Sequence, residues 1–521
     1  MQISDKNKYD RYIESLRLLS SKHSIIVDLG LPMILFGSMG AISWAIRGTA
    51  GWGGVDGTVL PGLMWGLLWY YLSYRKGIDA RGIVLWLGLG LALGGELGYG
   101  QYVSWIQGIF YVGDETMSIA PQLGYLWLFL CGIGWAGPGG IILGWALGKP
   151  VSIFSWIIRS FMIIILLMVL FVSPIIDWLG GYLLQIDSGI LFPFSDLGLY
   201  ANNLDKHLSR TLYTNTQNFA TVIWWVGALL VAAWQRDRTT LITGMIIGGG
   251  FGLGFMQSTM WTLGYSFAPN YIDWWKMWEL NAGFNLGVLY AIILYWAAKQ
   301  VKKTDNSLSN IPDKNMIRNQ LPEWRDTLFL AFAGFILLFF VGFEYFFWIG
   351  LALSLLYFIT MCFTTVGKLE PYQISEKRKN VLLIYSVFLL VFLMFHGGSE
   401  KLGIILNLYS GDAVSQYAWP KERIILFAPV ALFVTGVAIL KFWYIFRPNN
   451  QQGQNNNSSS KPSLRIIDLM TLMGFIGALS IWPEKIGVLY ALFIVLAIWA
   501  INRLNDYYRR LDENGDEIKI K

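Results

Sequence analysis

From Gln122 to Leu147 the chain reads Gln-Leu-Gly-Tyr-Leu-Trp-Leu-Phe-Leu-Cys-Gly-Ile-Gly-Trp-Ala-Gly-Pro-Gly-Gly-Ile-Ile-Leu-Gly-Trp-Ala-Leu. No side chain in this stretch is charged, and apolar residues do not alternate with polar ones. Such a run exceeds the ~20 residues that carry a helix across a bilayer. In lipid, main-chain hydrogen bonds have to be satisfied within the segment or around a closed barrel; without alternation, a helix is the remaining solution. Gly132, Ala136, Gly140, Gly144 and Gly148 recur every fourth residue, a stripe on which another helix can pack closely.

Similar runs recur along nearly the whole chain, and Lys149 closes this one. The composition agrees: 55% of residues are hydrophobic and 14% charged, and mean hydropathy is +0.49. A soluble chain of this size carries about 25% charged residues. The sequence therefore predicts an all-α integral membrane protein with about fourteen transmembrane helices. Lys and Arg cluster in every second loop (Arg75, Lys76 and Arg81; Lys149; Arg236 and Arg238; Lys299, Lys302 and Lys303), which predicts N-in/C-in topology. The net charge of +6 thus reads as topology, and no nucleic-acid partner is expected. Short loops and the lack of a signal-peptide pattern suit a bacterial inner membrane.

Residues 1–24 are polar, with Tyr9, Tyr12, Ile13, Leu16 and Leu19 at helical spacing among basic residues, as in an amphipathic cytoplasmic helix on the membrane surface. Residues 25–298 form an eight-span block, with a long outer segment from Leu179 to Asn218 between its fifth and sixth spans. Residues 299–326 read as a cytoplasmic linker and 327–503 as a six-span second block, interrupted by a low-complexity linker at 447–464. Residues 504–521 are a cytoplasmic tail.

Two segments share a pattern: Gly98-Tyr99-Gly100-Gln101-Tyr102-Val103-Ser104-Trp105 and Gly254-Phe255-Met256-Gln257-Ser258-Thr259-Met260-Trp261. Both read Gly-aromatic-x-Gln-x-x-x-Trp, both end Gly-rich spans, and charge bias runs them the same way. They predict a direct repeat of four spans. On unbroken helices, Gly90, Gly94 and Gly98 would share a face with Gln101 and Trp105, and Gly250 and Gly254 with Gln257 and Trp261.

Charge inside a span is costly and marks candidate sites. Arg47, Asp56, Glu96 and Glu279 fall at or near membrane depth, and Asn281 and Asn285 share a face of the eighth span. With Gln101 and Gln257 they form the set of candidate substrate- or ion-binding residues, expected to line a polar cavity facing outward. Five glycines between Gly48 and Gly57 free the backbone between Arg47 and Asp56 to approach a ligand, or to make a compact turn closed by that ion pair. Glu96 or Glu279 would then bind a proton or coupling ion, and Arg47 an anionic group. Helix-bridging amides and structural ion pairs are the plain alternative for all of them. Trp52, Trp105, Trp261, Trp274, Trp275 and Trp278 read as an interfacial belt.

The two cysteines, Cys131 and Cys362, and the scattered His23, His207 and His396 give no metal-ligand spacing, and no cofactor motif is present. The partners expected are the lipid bilayer and a small polar or anionic solute. Transport of that solute is the leading functional expectation. A membrane enzyme acting on a lipid-linked or extracytoplasmic substrate, and a structural or assembly subunit, are the alternatives.

The string Ile46-Arg47-Gly48-Thr49-Ala50-Gly51, followed by Gly57 and Pro61-Gly62, resembles a group of uncharacterised bacterial multi-span proteins, as does Gly98-Tyr99-Gly100-Gln101. The resemblance covers the first eight spans and implies a bacterial membrane family, with no activity attached.

Overall fold

The computed structural model describes residues 25–47, 93–112, 115–147, 152–186, 206–308 and 484–517, together with single positions between 58 and 91. Six of its helices are long and apolar enough to cross a bilayer, or seven crossings if one bent pair counts as a single span. Asp56, the N-terminal segment, the low-complexity linker and most of the second block lie outside the described residues.

Helix α1 (Leu31–Arg47) follows a π turn at Ile26–Gly30. A short α2 (Gly100–Trp105) leads into strands β1 (Ile109–Val112) and β2 (Glu115–Ser118), which pair antiparallel as a hairpin. Helix α3 (Pro121–Leu147) comes next, then α4 (Ile153–Phe171) and α5 (Ser173–Ile186), bent from each other by 81°. Then come α6 (Lys206–Trp234), α7 (Arg238–Phe267), α8 (Trp274–Leu308) and α9 (Glu484–Glu517). A π turn at Met245–Gly249 and a 3-10 turn at Met260–Leu263 lie within α7.

Helix α3 is the hub. Its every-fourth stripe packs on α7: a Cβ at Gly132 would meet Phe251, Gly252 and Phe255, one at Gly140 would meet Thr243, Gly244 and Ile247, and Gly144 lies against Thr240 and Thr243. Gly139 meets Gly90, and Gly137 meets Trp225 of α6 and lies close to Gly248 of α7. The other tight seam joins α1 and α8 antiparallel, main chain to main chain, with Gly40 on Gly283 and Phe36–Gly37 on Gly287. Lipid gives helices no hydrophobic reason to associate, so close approach of this kind, with its dispersion and hydrogen bonds, is what holds them. Helix α9 packs against α1, burying Ile486, Tyr490, Ile494, Ala497, Ile501 and Leu504.

Polarity is arranged inside out. Phe154, Ile157, Phe161, Leu230, Val488 and Val495 are exposed, while Thr214, Asn215, Thr216, Gln217, Asn218 and Thr221 are buried. An apolar surface of this extent is stable against lipid and costly against water. Several polar groups bond across helices. Gln217 Nε2 donates to Leu170 O at 2.8 Å, Trp224 Nε1 donates to Met162 O at 2.8 Å, and Arg159 pairs with Asp237 at 3.1 Å.

The structure corrects several expectations. The described part is mostly helical, as expected, but the link between Gln107 and Pro121 carries the β1–β2 hairpin. The fifth span does not run straight to Leu179; it bends at Val172, between α4 and α5. The long segment expected to lie outside between Leu179 and Asn218 is cut short, since α6 begins at Lys206 and takes in residues through Asn218 as helix. Helix α8 continues to Leu308, past the expected start of the linker at 299. The third span is not one helix. Gly90, Leu91, Leu93 and Gly94 are helical, residues 95–99 are not, and helix resumes at Gly100.

Candidate functional site

The break at residues 95–99 opens at the Gly94–Gly95 pair, where glycine lowers the cost of leaving the helix. Helix α3 and helix α6 then take up the carbonyls that the break frees. Trp135 Nε1 donates to Leu97 O at 3.1 Å, and Asn218 Nδ2 donates to Gly98 O at 2.9 Å. Cys131 Sγ also approaches Gly98 O, at 3.7 Å. A broken helix in a bilayer is tolerated where neighbouring helices satisfy its backbone in this way.

Just past the break, α2 carries Tyr102, fully buried and stacked on Trp127 at 5.5 Å between ring centroids. Its hydroxyl donates to Asn215 Oδ1 at 2.7 Å and accepts from Asn218 Nδ2 at 3.3 Å. Asn218 Nδ2 also donates to Thr214 O at 3.0 Å, so its two carbonyl contacts fix which end of the amide is nitrogen. Asn218 Oδ1, Asn215 Nδ2 and Gln101 Nε2 are buried without a hydrogen-bond partner. Gln101 lies beside the same Tyr102 hydroxyl.

A second polar group joins α7 and α8. Gln257 Nε2 donates to Asn281 Oδ1 at 3.1 Å, and Asn285 Nδ2 donates to Gln257 Oε1 at 2.9 Å and to Gly254 O at 3.0 Å. Trp261 Nε1 donates to Asn281 Oδ1 at 3.2 Å, and Asn281 Nδ2 to Asn285 Oδ1 at 3.3 Å. This ladder bridges two helices and is open to the surface at Gln257 and Trp261.

Glu279 is buried in an ion pair. Lys276 Nζ stands 2.6 Å from its Oε2, and Trp275 Nε1 donates to its Oε1 at 3.0 Å. Asp273 begins α8 by accepting from Lys276 N at 3.1 Å, which places Lys276 one turn below Glu279. Around the pair, Trp275 and Trp278 meet edge to face at 4.7 Å, and Tyr99 of the break touches both rings.

The expected residues therefore divide. Gln257, Asn281 and Asn285 come together as a helix bridge. Gln101 takes no part in it and lies with Tyr102, because the break resets the helical phase that would have aligned it with the glycine stripe. Glu279 is held by Lys276. Glu96 is half-buried at the start of the break, its N–H donating to Leu93 O at 3.4 Å. Arg47 ends α1, with its side chain outside the described residues, and Asp56 lies outside them altogether. The tryptophan belt needs correction too: Trp105 and Trp278 are core residues at 0% and 1% exposure, held in ring contacts.

Sequence reasoning missed Lys276, Tyr102, Asn215 and Asn218. The signal for the asparagines was present: Thr211, Asn215 and Asn218 at helical spacing, directly ahead of an apolar run. Comparison with known protein families, curated proteins and solved structures finds no match to this chain.

Proposed function

We propose that this chain is an integral membrane transporter for a small polar solute, bound where the third span is broken. The observation that carries the reading is the break at residues 95–99, with Gly98 O held by Asn218 and an uncharged polar cluster directly behind it. Transporters commonly bind solute at such discontinuous helices, where unwound backbone and buried polar side chains face each other. An inner-membrane location with N-in/C-in orientation goes with it, on the distribution of Lys and Arg.

A direct repeat fits the same reading. In each Gly-aromatic-x-Gln-x-x-x-Trp string, the carbonyl of the first glycine approaches a side chain of the next long helix, Cys131 Sγ for Gly98 and Asn285 Nδ2 for Gly254. The two aromatic positions, Tyr99 and Phe255, touch edge to face at 5.7 Å. The role first expected of Glu279, holding a coupling ion, is weakened by its pairing with Lys276. Substrate recognition is assigned instead to neutral groups.

Uptake by proteoliposomes tests the proposal, using labelled polyols, sugars, amides, amino acids and carboxylates. One class should enter faster than into protein-free liposomes. If folded protein moves none of them, the transport reading is wrong and a structural subunit takes its place.

A further inference from the structure

Three amides surround one phenol. Asn215 and Asn218, both fully buried, bond the Tyr102 hydroxyl, and Gln101 lies beside it. Each amide leaves one group unmet: Nδ2 of Asn215 and Nε2 of Gln101 as donors, Oδ1 of Asn218 as acceptor. Leaving three such groups buried without partners costs about 1–3 kcal/mol each, a cost that a ligand pairing all three would offset. Asn218 Oδ1 looks across to α3 at Gly134, where a Cβ would stand 3.6 Å from it. A larger residue at 134 would crowd that side. Stacking on Trp127 and an edge-to-face contact with Trp105 hold the Tyr102 ring in place among the amides.

We infer that Gln101, Asn215 and Asn218 form the binding site for a small neutral solute bearing a primary amide. The inference rests on the transport reading only for what happens after binding. A carbonyl oxygen accepts two hydrogen bonds, one from each unmet N–H, and the adjoining NH₂ donates to Asn218 Oδ1. An isosteric carboxylate fails twice. It brings a charge into a site whose named groups are all neutral, and it sets an acceptor against Asn218 Oδ1. Sites built on such pairing reject analogues strongly, because a mismatch leaves buried groups unpaired.

Acetamide is the probe and acetate its isostere, with thermal unfolding of the purified full-length chain in detergent as the readout. Acetamide should raise the melting temperature in a saturable way, and acetate should not. Gln101→Leu removes an amide whose nitrogen has no partner within hydrogen-bond geometry, so the variant should fold. It should bind acetamide at least about tenfold more weakly, the equivalent of one hydrogen bond. Asn215→Asp keeps the acceptor for Tyr102, replaces the unmet donor, and should lose the response as well. Equal shifts with both probes, no shift with either, or an unchanged response in both variants would mean that the three groups hold only trapped water, and would overturn the assignment. Uptake of another solute class without an acetamide shift would overturn it while leaving transport intact. A specific acetamide shift without uptake of any class would uphold the site and remove transport.

Discussion

The strings 98–105 and 254–261 share a pattern but not a structure. In the first, the helix stops at Gly94 and restarts at Gly100, Trp105 is fully buried, and the Gln101 amide nitrogen has no partner. In the second, helix runs through Gly250–Thr259, Trp261 is 40% exposed, and Gln257 makes two bonds to α8. Local preference cannot separate them, since each has glycines before an aromatic residue and a glutamine after it. The neighbours decide. Gly94 is pressed against the main chain of Trp135, and Trp135 and Asn218 offer donors to Leu97 O and Gly98 O, the carbonyls an unwound chain exposes. Gly254 lies against the side chain of Asn285, whose single amide can bond the carbonyl of an intact helix. Tertiary context overrides propensity, as it does wherever packing can supply replacement bonds.

The contrast can be broken or sharpened by substitution, with stability measured by unfolding in detergent. The largest effect is expected where Tyr99 of the broken string leans on the α8 aromatics. Glu279→Ala removes the carboxylate that Lys276 Nζ meets at 2.6 Å inside the protein and should cost about 3–5 kcal/mol. The double variant Lys276→Met, Glu279→Leu should recover much of that. If the single variant behaves as wild type, the pair is not buried and the wall behind Tyr99 is misplaced.

Next come the glycines before each string. Gly94→Ala drives a methyl group into the Trp135 main chain and should cost about 3 kcal/mol, whereas Gly250→Ala meets the flexible end of Leu289 and should cost about 1 kcal/mol. Equal costs would mean the two helices are packed alike. Smaller again is the difference between the asparagines. Asn218→Leu removes the amide donor to Gly98 O and one of the two bonds of the Tyr102 hydroxyl deep in the protein, at about 2 kcal/mol, and Asn285→Leu removes bonds nearer the surface, at about 1 kcal/mol. The smallest effect separates the glutamines. Gln257→Leu should lose about 0.6 kcal/mol, typical of a hydrogen bond between membrane helices. Gln101→Leu should cost nothing or stabilise the ligand-free protein slightly, because it removes an unmet donor. A clear loss at Gln101 would show that its amide is bonded after all.

How much of this was legible in the sequence follows from what each signal depends on. Long apolar runs fix helices through the chain's own bonds, so the crossings at Pro121–Leu147 and Trp274–Gln300 were readable from 521 letters. Every-fourth glycines announced close packing, though not that the α3 stripe meets α7 or that Gly283 meets Gly40. The break was hidden, because Gly-Gly-Glu-Leu-Gly from Gly94 to Gly98 satisfies helical spacing and becomes a break only when Trp135 and Asn218 are present to receive it. The site was half visible. Gln101 stood out by the repeated pattern, but Asn215 and Asn218 were assigned to an outer loop, since a polar run ahead of a span resembles a solvated end. Lys276 was overlooked for a related reason: near a tryptophan-rich helix start it looks interfacial, and only packing shows it turned inward onto Glu279.

Hydrogen–deuterium exchange of the protein in lipid nanodiscs tests the break most directly. Main-chain bonding between Gly94 and Gln101 is reduced to turn contacts such as Leu97 N to Gly94 O at 3.0 Å, while the matching segment of α7 keeps its helical ladder. Peptides covering 95–101 should exchange well ahead of those covering 251–257, and Asn218→Leu should widen the gap. Equal, slow exchange in the two segments would mean that the third span is an unbroken helix, and the site built on its interruption would have no foundation.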